Sequence, residues 1–266
     1  MNYWTKKSVE LANQRNYLDL LYKVYPMSVN LRRELSQKTV ESLEIAFNSR
    51  NDKELLKILL KQKVFPIKDS YVAYLKKDKT AIERNPNTVA RLTGLLYEMG
   101  IYEIIEKASA PKETNRQIGP LFENWINTRT LGCEVTKDPQ KFLKSTDNII
   151  YNTNDTAMAK FASEHLGYTR DKGLDFIGKF NNTYILGEAK FLTDFGGHQN
   201  AQFEDAISTM RYEMKKTDKN VKVISILDGV LYIPGKHKMF KKITEEFADD
   251  ELIISAVLLR DYLYSL

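Results

Sequence analysis

At 266 residues, 42% hydrophobic and 28% charged, the chain has a soluble globular composition and length enough for one large domain or two modest ones. No apolar run approaches the ~20 residues a membrane span needs. The opening Met1-Asn2-Tyr3-Trp4-Thr5-Lys6-Lys7 lacks the apolar core of a signal peptide. Cys133 is the single cysteine and the three histidines (His165, His198, His237) lie far apart, which excludes an intrachain disulfide and argues against a Cys- or His-built zinc centre. A cytoplasmic, reducing setting is expected. The net charge of +5 is uneven. Through Arg116 there are 21 Lys and Arg against 14 Asp and Glu, and the remainder carries 19 against 21. A basic N-terminal half suits a polyanionic partner, although a Lys-rich solvated surface gives the same count.

Residues 1–110 read as a helical, basic region. Leu11, Tyr17, Leu18, Leu20, Leu21 and Tyr22 cluster before Pro26. Ser36 can cap a helix carrying Val40, Leu43, Ile45, Ala46 and Phe47. Asn51-Asp52-Lys53-Glu54 has capping-box spacing ahead of Leu55, Leu56, Ile58, Leu59 and Leu60. Pro66 breaks that element. From about Asn87, the positions Val89, Leu92, Leu95, Leu96 and Met99 follow helical spacing up to Gly100, and Ile101 to Ala108 continues as a shorter helix. Lys76, Lys77, Lys79, Arg84 and Arg91 leave open a helix-turn-helix or winged element, or simply the basic face of a bundle.

Ala110 to Arg116 is polar and contains Pro111, which suits a linker into a second region, 111–266. Gln117 to Thr128 reads as a helix with Ile118, Leu121, Phe122, Trp125 and Ile126 inward. Pro120 is tolerable there only in the first turn. Cys133 to Val135 and Ile149 to Tyr151 are short strand candidates, followed by a helix over Thr156 to Leu166. Asp175 to Phe180 and Thr183 to Leu192 then form two apolar-rich runs around Asn181-Asn182, a pair that tolerates the positive φ of a tight hairpin. Thr193 to Asn200 is a Gly-containing loop, Ala201 to Lys216 a helix, Val221 to Leu227 a strand, His237 to Phe247 a helix and Leu252 to Leu259 a further strand. Asp171 and Asp228 read as turn residues rather than metal ligands. This order is that of an α/β (α+β) chain: a helical N-terminal region, then a mixed sheet flanked by helices.

The hairpin carries the chemistry. Asp175, Glu188 and Lys190 stand in segments that otherwise read as buried strands, where charges are costly unless paired or holding a metal. Side chains alternate along a strand, so Glu188 and Lys190 share a face. An Asp starting one strand lies beside residues late in its antiparallel partner. Two carboxylates and an amine can therefore converge as a divalent-cation site. A same-face surface ion pair is the bland alternative, but it leaves unexplained why charges interrupt the apolar run Tyr184 to Leu192.

Asp175 followed by Glu188-Ala189-Lys190, with a helix before and a helix-strand pattern after, resembles the PD-(D/E)XK nuclease superfamily, and especially type II restriction endonucleases. Leu174 stands where the family name has Pro. The resemblance covers roughly residues 117 to 233. It implies Mg²⁺ held by Asp175, Glu188 and the backbone carbonyl of Ala189, with Lys190 acting on the attacking water and the transition state. Glu123 resembles the acidic residue that many relatives carry on the first core helix, and an exposed helix Glu is the alternative. In the loop after the second strand, His198, Gln199, Asn200 and Gln202 are donors and acceptors suited to phosphates or base edges, or equally to a solvated capping loop. The expected activity is Mg²⁺-dependent, sequence-specific cleavage of double-stranded DNA by a homodimer, with no organic cofactor and no membrane. A structure-specific repair nuclease and a non-catalytic DNA-binding protein on the same fold are the rival readings.

Overall fold

The computed structural model describes residues 1–26, 34–110 and 118–266. The chain divides into two compact units: Met1–Met27 with Thr114–Leu266, and Ser28–Glu113 between them. This differs from the expected division after residue 110, because the first two helices belong with the sheet. The expected linker falls almost wholly outside the described residues, as does Gln117.

Helix α1 (Tyr3–Ala12) is capped by the Asn2 side chain, which accepts from the Trp4 amide, and α2 (Tyr17–Val24) follows. The inserted unit begins with α3 (Gln37–Asn48), whose Ser36 hydroxyl accepts from Thr39, and α4 (Asp52–Leu60), where Asn51 accepts from Glu54. Both caps satisfy amides that the first turn leaves unpaired. Two helices without a sequence expectation come next. Helix α5 (Ser70–Lys77) is capped by Asp69, and α6 (Ala81–Arg84) is a single turn. Helix α7 (Pro86–Met99) ends at Gly100, whose φ of 83° favours glycine, and α8 (Ile101–Ala108) closes the unit. Leu43, Leu55, Leu56, Leu59, Ile82, Leu92 and Leu96 form its core. Of the basic residues noted there, Arg84 pairs with Asp78, Arg91 pairs with Asp69, and the Lys76 ammonium donates to the Gln62 carbonyl. Lys77 and Lys79 are exposed.

The other unit continues with α9 (Ile118–Asn127), β1 (Glu134–Thr136), α10 (Pro139–Lys144), β2 (Ile149–Tyr151) and α11 (Asp155–His165). Pro120 falls in the first turn of α9, where it costs no helical hydrogen bond. Next come β3 (Phe176–Phe180), β4 (Thr183–Leu192), α12 (Gly197–Met210), β5 (Asn220–Gly229), α13 (Lys238–Glu245), β6 (Ile253–Ile254) and α14 (Ala256–Tyr264). A 3₁₀ turn over Val230–Tyr232 links β5 to α13.

The six strands form one mixed sheet in sequence order. Strands β1 and β2 are parallel, β2–β3 and β3–β4 antiparallel, and β4, β5 and β6 parallel. Helices cover both faces, as an α/β sheet requires. Helices α10 and α11 pack over Ile149, Ile177, Tyr184 and Leu186, while α1, α2, α9 and α14 join the core containing Ile150, Ile185, Ile224 and Ile226. The Asn181-Asn182 turn has φ of 46° and 62°, as the hairpin reading requires. The expected strand over Leu252 to Leu259 is wrong. Only Ile253 and Ile254 pair with β5; the Ser255 hydroxyl then accepts from Val257 and starts a helix. Burial of Ala256, Leu259, Tyr262 and Leu263 follows helical spacing, which a short apolar run conceals.

Candidate active site

Strand β4 is longer than its partner. Pairing with β3 ends at Phe176 opposite Gly187, whereas pairing with β5 continues to Leu192. Residues 188–192 therefore have an open edge on the β3 side. Asp175 fills that gap. Its amide donates to the Gly187 carbonyl at 3.0 Å, and its Oδ2 accepts from the Ala189 amide at 2.8 Å, replacing the carbonyl a longer β3 would have supplied. Strand alternation turns the Ala189 carbonyl toward the same edge.

Three predicted residues meet there. The Lys190 Nζ lies 2.5 Å from Glu188 Oε1 and 3.3 Å from Asp175 Oδ2, so one ammonium touches both carboxylates. Glu188 is only 3% exposed. Burial raises its pKa, the nearby Asp175 charge raises it further, and Lys190 and Lys172 oppose both. For Lys190, burial pulls the pKa down, but Asp175 and Glu188 outweigh it and the net direction is up. The two carboxylates thus favour the ammonium form of Lys190 in this arrangement.

The secondary candidates separate. Glu123 is exposed on α9 and lines a cavity of about 260 Å³ with Asp155 and Asp175. Among the described residues, no three His, Cys, Asp or Glu side chains come close enough together to hold a metal. The Ala201 start expected for the next helix is too late. Helix α12 begins at Gly197, which puts His198, Gln199, Asn200 and Gln202 in its first turns. Gln199 is buried, and its Oε1 accepts from the Thr193 amide at 3.3 Å. Asn200 donates to the Phe195 and Gly196 carbonyls. His198 and Gln202 bond to each other at 3.1 Å on the outside. Gln199 and Asn200 thus brace the loop, which is the capping alternative; His198 remains exposed and Gln202 half-buried.

Two residues that the sequence reading missed or misjudged stand out. Lys172 has its Nζ 3.0 Å from Glu188 Oε1 and 2.5 Å from Asp205 Oδ2 on α12. It lies in a segment without periodicity, and only its place three residues before Asp175 hinted at proximity. Asp228 is no turn residue. It is wholly buried near the end of β5, accepting from Tyr17, Tyr25 and Ser255 hydroxyls and the Ala256 amide at 2.5–3.2 Å. Burial pushes its pKa up to about 6 even with those donors.

The sequence profile of the Tsp45I type II restriction enzyme family matches residues 2–266. The chain belongs to that family. It is therefore a nuclease of a restriction system that binds DNA as its substrate, and its sheet and convergent Asp175, Glu188 and Lys190 are consistent with the PD-(D/E)XK superfamily. No curated protein and no solved structure matches the chain. Type II restriction enzymes generally use divalent metal ions. Among the described residues, no helix is long and apolar enough to cross a membrane.

Proposed function

We propose that this chain is an Mg²⁺-dependent endonuclease that hydrolyses double-stranded DNA at a short specific sequence, with Asp175, Glu188 and Lys190 as its catalytic group. The supporting observation is the convergence of two carboxylates on one ammonium at the open edge of β4. The donor set fits a hard divalent cation: Asp175 and Glu188 supply carboxylate oxygens that already share a positive charge, and the Ala189 carbonyl faces the same edge. When bound there, Mg²⁺ would polarise the scissile phosphate and lower the pKa of an attacking water.

The protein's own residues have distinct tasks in this reading. Asp175 fixes the edge through the Ala189 amide, and its half-buried carboxylate lines the cavity. Glu188, nearly dry, places negative charge where little water can screen it. Lys190 directs its ammonium toward charge that builds on the phosphate in the transition state. Glu123, which lines the 260 Å³ cavity together with Asp175, is a supporting carboxylate. His198 and Gln202 on α12 are the DNA contacts retained from the loop after β4. Within 28–113, the exposed Lys77 and Lys79 suit phosphate contacts, and this unit is the candidate DNA grip. Cutting both strands of a palindromic site favours a homodimer, one site per strand. The cytoplasm is where such an enzyme would meet its substrate.

The test is incubation with plasmid and genomic DNA, with Mg²⁺ and with a chelator, followed by sequencing of the fragment ends. Discrete ends sharing one motif, lost with chelator, support the proposal. Preference for branched DNA, or binding without cleavage, would overturn it.

A further inference from the structure

We propose that Lys172 is a positioning residue for Glu188, held in place by helix α12. The inference rests on the catalytic role just assigned to Glu188. Two ammoniums, those of Lys190 and Lys172, lie within 3.0 Å of the same oxygen, Glu188 Oε1. Their other attachments differ. Lys190 reaches back to Asp175, the second catalytic carboxylate. Lys172 reaches outward, to Asp205 Oδ2 at 2.5 Å and Thr209 Oγ1 at 3.1 Å, both on α12. Lys190 must exchange contacts if a phosphate and a cation approach the carboxylates. Lys172 keeps anchors that such an approach does not touch.

Geometry argues against a mere tether between the 170–173 segment and α12. That job belongs to Arg170, whose guanidinium donates to Thr209 Oγ1 at 2.6 Å and Ser208 Oγ at 2.9 Å and lies 3.4 Å from Asp205 Oδ1. The neighbouring Gly173 lets the chain pass close to α11, since a Cβ there would sit 2.7 Å from Asp155 Cβ. With the segment already pinned on two sides, the Lys172 ammonium bridges Asp205 to a carboxylate that is 3% exposed. A buried carboxylate with one rotamer fixed by a charged bond is placed more narrowly than one held by Lys190 alone.

The test uses Lys172→Met, Lys172→Arg and Glu188→Gln in the full chain. With saturating DNA and Mg²⁺ in a single turnover, Lys172→Met is expected to cut roughly 10²-fold more slowly, the scale of a small misplacement of a reacting group. Its metal-free DNA affinity stays at the wild-type value, and Lys172→Arg recovers most of the rate. Independently of activity, thermal melting of Lys172→Met, Glu188→Gln and the double variant gives a shift smaller than the sum of the single shifts. Wild-type cleavage by Lys172→Met, equal impairment of Lys172→Arg, or additive melting shifts each overturns the proposal. Cleavage by Glu188→Gln at the wild-type rate would instead overturn the active-site reading beneath it.

Discussion

Glu188 and Asp228 are buried carboxylates on neighbouring parallel strands, and their surroundings are opposite in kind. Glu188 is faced by two ammoniums and a second carboxylate. Asp228 is faced by three hydroxyls and a backbone amide, and among the described residues no cation is bonded to it. Burial raises both pKa values. The difference lies in what the neighbours can do. Ammoniums can be exchanged for another cation or turned toward a phosphate, so the Glu188 surroundings are adaptable. Hydroxyls and an amide that converge on one carboxylate fix geometry and exchange with nothing. The first arrangement suits chemistry; the second suits assembly.

Substitutions should divide along this line. Glu188→Gln or Asp175→Asn is expected to slow cleavage by about 10³-fold or more, on the scale of losing one catalytic electrostatic contact, while the fold and DNA affinity persist. Single-turnover rates beside gel-shift affinities measure this. A matched loss of binding would erase the contrast with Asp228. Removing Asp228 should instead destabilise the fold. Asp228→Ala leaves three hydroxyls and an amide buried without their acceptor, a loss of about 3 kcal/mol, read by urea denaturation.

The pH dependence sharpens the comparison further. Asp228 holds its proton more tightly folded (about 6) than at its ordinary 3.8, so the folded state binds more protons between those values. Its contribution to stability is therefore largest below about pH 4, falls as pH rises to about 6 and is flat above. Asp228→Asn should lose that part of the slope when unfolding is followed from pH 4 to 8 and compared with wild type. A variant with the wild-type slope would show that Asp228 does not titrate there. The smallest effect is expected on α12. Gln199→Ala should cost about 1 kcal/mol because it strands the Thr193 amide, whereas His198→Ala should stay within about 0.5 kcal/mol. Equal melting temperatures for the two would contradict the bracing role of Gln199.

The same contrast explains what could be read from the chain. The hairpin was legible because its signals are local: two Asn residues at the turn, alternating side chains, and charges where strands are otherwise apolar. Helices α3, α4 and α7 were legible through their caps and spacing. Asp228 was not, because two of its partners, Tyr17 and Tyr25, lie more than 200 positions away and a neighbouring Gly229 imitates a turn. Lys172 was hidden in a segment with no period. Helix α14 reads as strand from sequence alone because Ser255 starts it within an apolar run. The burial of Gln199 is not legible in the sequence, since it depends on where α12 begins and neither glycine before it marks that boundary.

The pairing of residues 1–27 with the sheet has a temporal consequence. During synthesis, α1 and α2 emerge well before their anchors: Tyr17 and Tyr25 need Asp228, and the Thr5 and Ser8 hydroxyls accept from the amides of Ile253 and Ser255. The 28–113 unit is continuous in sequence and can close while the ribosome is still working. The unit that bears Glu188 cannot. Its opening helices must wait for a strand made more than 200 residues later, so the open edge of β4 gains its full scaffold only once β5 and β6 have been made.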